Sequence, residues 1–330
     1  MARNKVQFQK GMSEAQFDEL YGTEPLCHAA LVRWRWPEGF ECPGCGGQEH
    51  CIVKRGGRSL YQCNACRKQT SVKAGTIFAS SKLPLRLWFR TMYLVTQSKK
   101  GISSIELGRR LGVTQTAAWT LKHKLAQVMI ERNAAKRLKG QVQMDDAYIG
   151  GARSGKRGRG AAGKTPFVAA VAVTGDGKPD RIVLRRVVGF RKIAIARLAG
   201  TALAAGANVV SHALACFAAV TNVVSDALAC FAAVTEAGCT HAPIKTGSGP
   251  KAAKKPQFKW VNTVLGNIKA AMAGTYRAVR AKHVPRYLAE FEYRFNRRYQ
   301  LETMIGRLAY VSLRTPPMPY RLLKLADVYA

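Results

Sequence analysis

Carboxylates are scarce in this chain, so those that interrupt apolar runs are the first candidates for chemistry. VQMDDAYIGG puts Asp145 and Asp146 at the end of a short strand-like segment, and NVVSD reads as another strand ending in Asp226. Carboxylates at the ends of neighbouring strands can converge on divalent cations, the arrangement used for two-metal phosphoryl transfer. Any one of them alone would read better as a turn or cap aspartate. Downstream, FKWVNTVLGNIKAAMAGTY carries Val261, Val264, Leu265, Ile268 and Met272 at helical spacing. Asn262 and Lys269 are seven residues apart in it, nearly two turns, and so share a face at a separation of about 10 Å along the axis. An amide oxygen can complete a magnesium shell while the lysine holds a DNA phosphate. Asn262 by itself would be a surface polar residue, and its case rests on that spacing and on the acids upstream.

A second constellation is made of sulfur. Cys42, Cys45, Cys63 and Cys66 form CPGC and CNAC, separated by the 17 residues Gly46 to Gln62. Each C-x2-C knuckle turns tightly enough to aim two thiolates at one ion, which predicts a tetrahedral zinc site. Four sulfurs close the coordination sphere, so this zinc is structural. Lys54, Arg55, Arg58, Arg67 and Lys68 surround it and suggest a zinc ribbon lying on DNA. Cys27, Cys51, Cys216, Cys230 and Cys239 have no ligand spacing and read as small core residues.

Elements must hold these groups in place. ISSIELGRRLGVTQTAAWTLKHKLAQVM has a capping-box pattern at Ser103 and Glu106, apolar Ile105 and Leu111, a stop at Gly112, and a second helix starting at Thr114. Ala118, Leu121, Leu125 and Val128 keep that second helix on a core, while Gln115, Thr116, Lys122 and His123 lie toward another face and could reach a groove. This is a helix-turn-helix pattern, although an ordinary helical hairpin would read alike. PFVAAVAVTGDGKPDRIVLRRV predicts two strands joined by a turn at Gly175 to Gly177. The uncharged run Leu198 to Ser225 is rich in alanine and broken by Gly200, Gly206, Asn208, Ser211 and Asn222, so a buried strand and helix explain it better than a membrane span.

That run contains a direct repeat. NVVSHALACFAAVT, from Asn208 to Thr221, is followed at once by NVVSDALACFAAVT, from Asn222 to Thr235, and the copies differ only at His212 and Asp226. The fold must loop out one copy or let both compete for one strand position. Copy two is the expected working copy, because Asp226 offers magnesium a hard oxygen where His212 offers an imidazole nitrogen.

Composition names the class of partner. Against 53 Lys and Arg stand 19 Asp and Glu, a formal charge of +34 over 330 residues, and such a field attracts a polyanion, most commonly nucleic acid. A hydrophobic content of 47% is enough for packed cores. The N-terminal MARNKVQFQKGMSEAQF has no apolar signal core, and a cytoplasmic, nucleoid-associated location is expected.

Taken together, CPGC with CNAC, MDDAYIGG, RGRGAAGKTPF, VVSDALACF, WVNTVLGNIK and HVPRYLAEFEYRFNRR make the chain resemble bacterial insertion-sequence transposases of the DDE class. The resemblance implies a zinc ribbon and a helical helix-turn-helix domain, followed by an α/β catalytic domain: a ribonuclease H-like mixed sheet flanked by helices. Some branches of the family replace the third acid by asparagine with a lysine seven residues later. The implied catalytic set is therefore Asp145, Asp226, Asn262 and Lys269, with 35 residues between Asp226 and Asn262. Magnesium, for which manganese can substitute, would be held by Asp145, Asp226 and Asn262, with Asp146 supporting them. Double-stranded DNA, both element ends and target, is the implied partner, with no membrane and a homo-oligomer on DNA. Lys156, Arg157 and Arg159 in the loop ARSGKRGRGAAGK, and Arg286, Arg294, Arg297 and Arg298 on the C-terminal helix, would contact phosphates. Tyr287, Leu288, Phe291 and Phe295 read as core.

The expected domains are residues 1–75 (N-terminal helix and ribbon), 76–138 (helix-turn-helix), 139–310 (catalytic, with the duplicated segment at 208–235) and a tail, 311–330. Two features depart from the family pattern: asparagine leaves one fewer negative charge for metal, and the duplication falls on a catalytic ligand. The rival readings are a DNA-binding regulator without catalysis and a transposase that still folds but no longer cuts.

Overall fold

The computed structural model describes residues 11–134, 136–150, 163–213, 230–245, 255–276 and 279–326. It divides into two units, Met1–Val128 with Arg297–Leu325, and Met129–Asn296 with Ala326–Ala330. The ribbon and the helices that the sequence separates at residue 75 thus share one unit.

In the first unit, helix α1 (Glu14–Tyr21) starts with a complete capping box between Ser13 and Gln16, and α2 (Glu24–Arg35) is capped by Thr23. Phe17, Tyr21 and Trp34 from these helices meet Phe89 and Tyr93 of α3 (Leu85–Gln97), with ring centroids 4.8–6.1 Å apart. Pro84 precedes α3 and gives it no side-chain cap. The carboxylate of Glu24 does so from a distance, accepting from the N–H groups of Leu85 at 2.8 Å and Arg86 at 2.9 Å. The ribbon is a three-stranded antiparallel sheet in the order β1 (His50–Arg55), β2 (Arg58–Cys63), β3 (Gln69–Thr70).

Helix α4 (Ser104–Leu111) begins at Ser103, whose hydroxyl accepts from the Glu106 N–H, and ends at Gly112 with φ +65. That left-handed backbone suits glycine and lets the chain turn within three residues into α5 (Gln115–Ala134). Ala118, Leu121, Leu125 and Val128 are buried as the spacing predicts. Ile105 is not: it is 56% exposed, and Leu107 two residues on is the fully buried position. Among the described residues no helix is long and apolar enough to cross a membrane.

The second unit is built on a five-stranded sheet in the order β6 (Pro179–Arg186), β5 (Thr165–Val173), β4 (Gln141–Ile149), β7 (Asn208–Ala213), β8 (Thr240–Lys245). The first three strands are antiparallel and β4, β7 and β8 run parallel, so the sheet is mixed. Val142, Met144, Val168 and Ala170 pack toward helix α6 (Lys192–Ala202) and the 3-10 helix Cys230–Ala237. Ala147, Phe167, Ala169 and Val171 pack on the opposite face toward α7 (Lys259–Thr275) and α8 (Val284–Phe295). Cover on both faces explains why β5 reads as one apolar run, not as an alternation.

Strand β6 forms an edge, and its exposed backbone groups are taken up by α8 and its cap. The Asn296 amide accepts from Ile182 N–H at 2.7 Å and donates to Ile182 C=O at 2.9 Å, as another strand would. One turn earlier, the buried Glu292 accepts from Leu184 N–H at 3.0 Å and from the Arg185 guanidinium at 2.8 Å. Asn296→Ala and Glu292→Ala are each expected to cost about 1–3 kcal/mol, the cost of stranding such donors. Amide hydrogen exchange checks this site by site: Asn296→Ala should speed exchange at Ile182, and Glu292→Ala at Leu184.

Candidate functional site

The four cysteine sulfurs lie within 4.8 Å of one another, with Cys42 and Cys66 at 3.5 Å and Cys45 and Cys63 also at 3.5 Å. Tetrahedral zinc with bonds of about 2.3 Å would set its sulfurs about 3.8 Å apart. The donor set therefore fits zinc both chemically and in size. The two knuckles share a conformation, because the residue after each second cysteine is left-handed: Gly46 at φ +74 and Arg67 at φ +60. Backbone amides already favour thiolate here. The Gly44 N–H, 3.4 Å from the Cys42 sulfur, draws that thiol down to about 6, and the Cys66 N–H lowers Cys63. The Gly47 N–H acts in the same sense on Cys45, but the sulfurs of Cys66 and Cys63 override it and push that thiol up to about 12. Four crowded sulfurs that cannot all ionise together are stabilised by a shared cation. Phe40, Tyr61 and Trp36 pack beneath the cluster.

The other constellation lies in the second unit. Asp145 and Asp146 lie in the middle of β4 and not at its end, because pairing with β5 carries the strand on to Ile149; Asp145 is half-buried, and one of its carboxylate oxygens accepts from the Asp146 N–H at 2.8 Å. Two residues earlier on the same face of the strand, Gln143 accepts from the N–H groups of Trp260 and Val261, each at 3.1 Å. These donors belong to the first turn of α7, and Asn262 is the next residue. Strand and helix are thus pinned together beside Asp145 and Asn262, residues 117 apart in sequence. Asn262 is half-buried and Lys269 exposed, while Val261, Val264, Leu265 and Ile268 pack into the core. At its outer end β4 stops at Gly150, φ +141, where a Cβ would approach Gly163 C=O and Lys164 at 3.3 Å.

Asp226 lies outside the described residues, as do Lys156, Arg157, Arg159 and Cys216. The strand beside β4 is copy one. It pairs in parallel from Gln141 with Asn208 to Met144 with Ser211, the residues just before Asp145 and His212. The 3-10 helix Cys230–Ala237 comes from the end of copy two. Between the two elements lie 16 residues, the last eight of copy one and the first eight of copy two.

Several side chains assigned to DNA are otherwise occupied. Lys122 is 3% exposed with its ammonium 2.5 Å from Ile102 C=O, and His123 is 1% exposed and stacked on Trp119. Neither can reach a groove from there, because α5 turns this side inward as well. Gln115 and Thr116 are exposed at the start of the helix, with the Gln115 amide on Ser104 at 3.1 Å. Arg294 is paired with the buried Glu290 one turn back at 2.5 Å, its side chain 11% exposed, so it holds the core of α8 together. Arg286 is likewise buried. Arg297 and Arg298 do not lie on that helix, which ends at Phe295. Leu288 is buried, and Phe291 and Phe295 pack partly into the same core. Lys54, Arg55, Arg67 and Lys68 on the ribbon are exposed. Cys27, Cys230 and Cys239 are buried as expected, whereas Cys51 on β1 is exposed.

A transposase zinc-ribbon domain pattern matches residues 22–69, and an ISXO2-like transposase domain pattern matches residues 137–223 and 219–296. The chain belongs to the insertion-sequence transposases with an N-terminal zinc ribbon. Within this transposase the second match divides where the two copies meet, with an overlap at residues 219–223, as expected when one piece of the pattern is present twice. A segment of 134 residues, 39% of this chain, is also 26% identical to an uncharacterized protein in transposable element ISH50 of Halobacterium salinarum, over 42% of that protein's length. The ribbon match and the sulfur cluster together identify the zinc as structural. The sequence reading missed Gln143, whose role depends on a helix 117 residues away and leaves no local signal.

Elemental analysis of the purified transposase should find about one zinc per chain. Cys42→Ser and Cys63→Ser should each lower zinc content and weaken DNA binding. If both leave zinc and DNA binding unchanged, the ribbon does not depend on this metal.

Proposed function

We propose that the protein binds the terminal inverted repeats of its element and performs divalent-metal-dependent strand cleavage and strand transfer at them. The observation that carries this reading is the attachment of the first turn of α7 to β4, which holds Asn262 beside the strand that bears Asp145. The mixed sheet order supports a ribonuclease H-like catalytic domain. Asp145, Asp226 and Asn262 form the ligand set, and all three offer the hard oxygens that magnesium or manganese takes. Bound cations would supply Lewis-acid activation of water and then of a 3′-hydroxyl. The chain's own part is to hold those oxygens in fixed positions, with Asp146 beside them and Lys269 on a DNA phosphate two turns along α7. Recognition falls to the ribbon and to α4 and α5 acting as a helix-turn-helix. Gln115 and Thr116 approach base edges, and Lys54, Arg55, Arg67 and Lys68 contact phosphates. The loop with Lys156, Arg157 and Arg159, together with Arg297 and Arg298, adds phosphate contacts in a homo-oligomer on DNA.

Asp145→Ala and Asn262→Ala should abolish Mg²⁺-dependent nicking of end DNA while leaving its binding nearly intact, because phosphate contacts elsewhere dominate affinity. Full cleavage by Asn262→Ala would move the third ligand elsewhere, with Glu236 the next to test.

The duplication supplies a sharper test. Deletion of Asn208 to Thr221 joins the Asp226 copy to the same flanking elements, and deletion of Asn222 to Thr235 joins the His212 copy to them. Both products keep every core residue of the strand, since the copies differ at one position only. The first should cleave at least as well as the full chain. The second should fold and bind DNA without cutting it, because an imidazole nitrogen suits magnesium poorly. Cleavage by the second product would remove Asp226 from the ligand set.

A further inference from the structure

Helix α7 follows directly on a 3-10 turn, Pro256–Phe258, whose Pro256 carbonyl accepts from the Lys259 N–H, and it has no side-chain cap of its own. Phe258 precedes it and has no side-chain acceptor to offer the first turn. The N–H groups of Trp260 and Val261 are therefore among the donors that a helix leaves unsatisfied, and Val261 is fully buried, where an unmet donor is costly. One side-chain oxygen serves both. It belongs to Gln143, itself only 9% exposed, on the strand whose middle carries the acidic pair. The indole N–H of Trp260 donates to Gly177 C=O at 2.7 Å, which ties the same turn to the β5–β6 hairpin. The first turn is thus fixed from a strand and from a hairpin turn at once, immediately before Asn262.

We infer that Gln143 is a positioning residue: it sets the distance between Asp145 and Asn262 by capping α7 from β4. This rests on the reading of those two residues as metal ligands. The reasoning is geometric. Gln143 and Asp145 stand two residues apart on one rigid strand, and the capped N–H groups lie one and two residues before Asn262 on one rigid helix. The amide is the short link between the two bodies. Loss of its oxygen strands two donors, and the first turn must fray or shift to find water. Ligand geometry tolerates little of this, since a misplacement of about 1 Å can cost on the order of 100-fold in rate. A carboxylate in the same place would still accept both bonds, and its charge is favourable at a helix N-terminus.

The test compares Gln143→Met, of similar size without an acceptor at that position, with Gln143→Glu, which keeps one, in the full-length chain. Amide exchange at Trp260 and Val261 should rise at least tenfold in Gln143→Met and return toward the parent rate in Gln143→Glu. Unchanged exchange in Gln143→Met overturns the cap. Mn²⁺ affinity, followed by electron paramagnetic resonance, should fall about tenfold in Gln143→Met and recover in Gln143→Glu, with Mg²⁺-dependent cleavage moving in parallel. Faster exchange with parent-like Mn²⁺ affinity would leave Gln143 a stabilising cap only and overturn the positioning role. Asp145→Ala separates this from the ligand assignment. If Asp145→Ala binds Mn²⁺ as the parent does, the ligand reading has failed; if it loses Mn²⁺ while Gln143→Met does not, only the inference about Gln143 has failed.

Discussion

Buried backbone donors must find acceptors, and in this protein that constraint ties distant segments together. Gln143 satisfies the first turn of α7 from β4. Glu24 does the same for α3 from the start of α2, and Glu292 and Asn296 do it for the edge of β6. Pro84 and Phe258 offer no side-chain cap to the helices they precede, and an edge strand has no neighbour on its outer side. The helices of the second unit are consequently fixed against the sheet by specific polar contacts as well as by apolar packing. That orients α7, and with it Asn262, relative to Asp145.

Three of the chain's scarce carboxylates are engaged in such contacts. Glu290 and Glu292 are buried among Arg294, Arg185 and backbone N–H groups, so these two carboxylates offset charge in the interior, while the exposed Glu24 is held on α3. The cations on the ribbon remain exposed. A field of this sign suits a polyanionic partner, in keeping with DNA binding by a transposase. Lys122 marks the limit of reading charge as surface, since its long apolar stem lets it lie within the helices while the ammonium rests on a carbonyl.

The repeat can be accommodated because it is a whole copy. A strand inserted out of register by one residue would turn its apolar side chains to the wrong face, whereas 14 identical residues restore the same pattern at the same strand position. Here β7 is drawn from the first copy and the following 3-10 helix from the second. Val209 packs in the core between α6 and the sheet, and Ser211 bonds His241 at 2.8 Å. Both residues have identical counterparts in the second copy, so these contacts do not distinguish the copies. The one difference between them falls one residue after the last β4–β7 pair, Met144 with Ser211.

The sequence by itself determined the parts whose cause is local. Two C-x2-C knuckles define a zinc site because the turn is contained in four residues, and Ser103, Glu106 and Gly112 mark the bounds of α4 through their own backbone preferences. The apolar stripe of α7 and the two strands around Gly175 to Gly177 were legible because helix and strand periods are written in consecutive residues. Tertiary structure alone decided which polar groups face inward. Lys122, His123 and Arg294 carry the charges of DNA contacts, yet neighbours remote or one turn away hold them, and Leu107 took the buried place that Ile105 would fill by its type. It also decided the role of Gln143, an ordinary residue in an alternating strand, because hydrogen bonds to a helix more than a hundred residues later exist only once sheet and helix have packed.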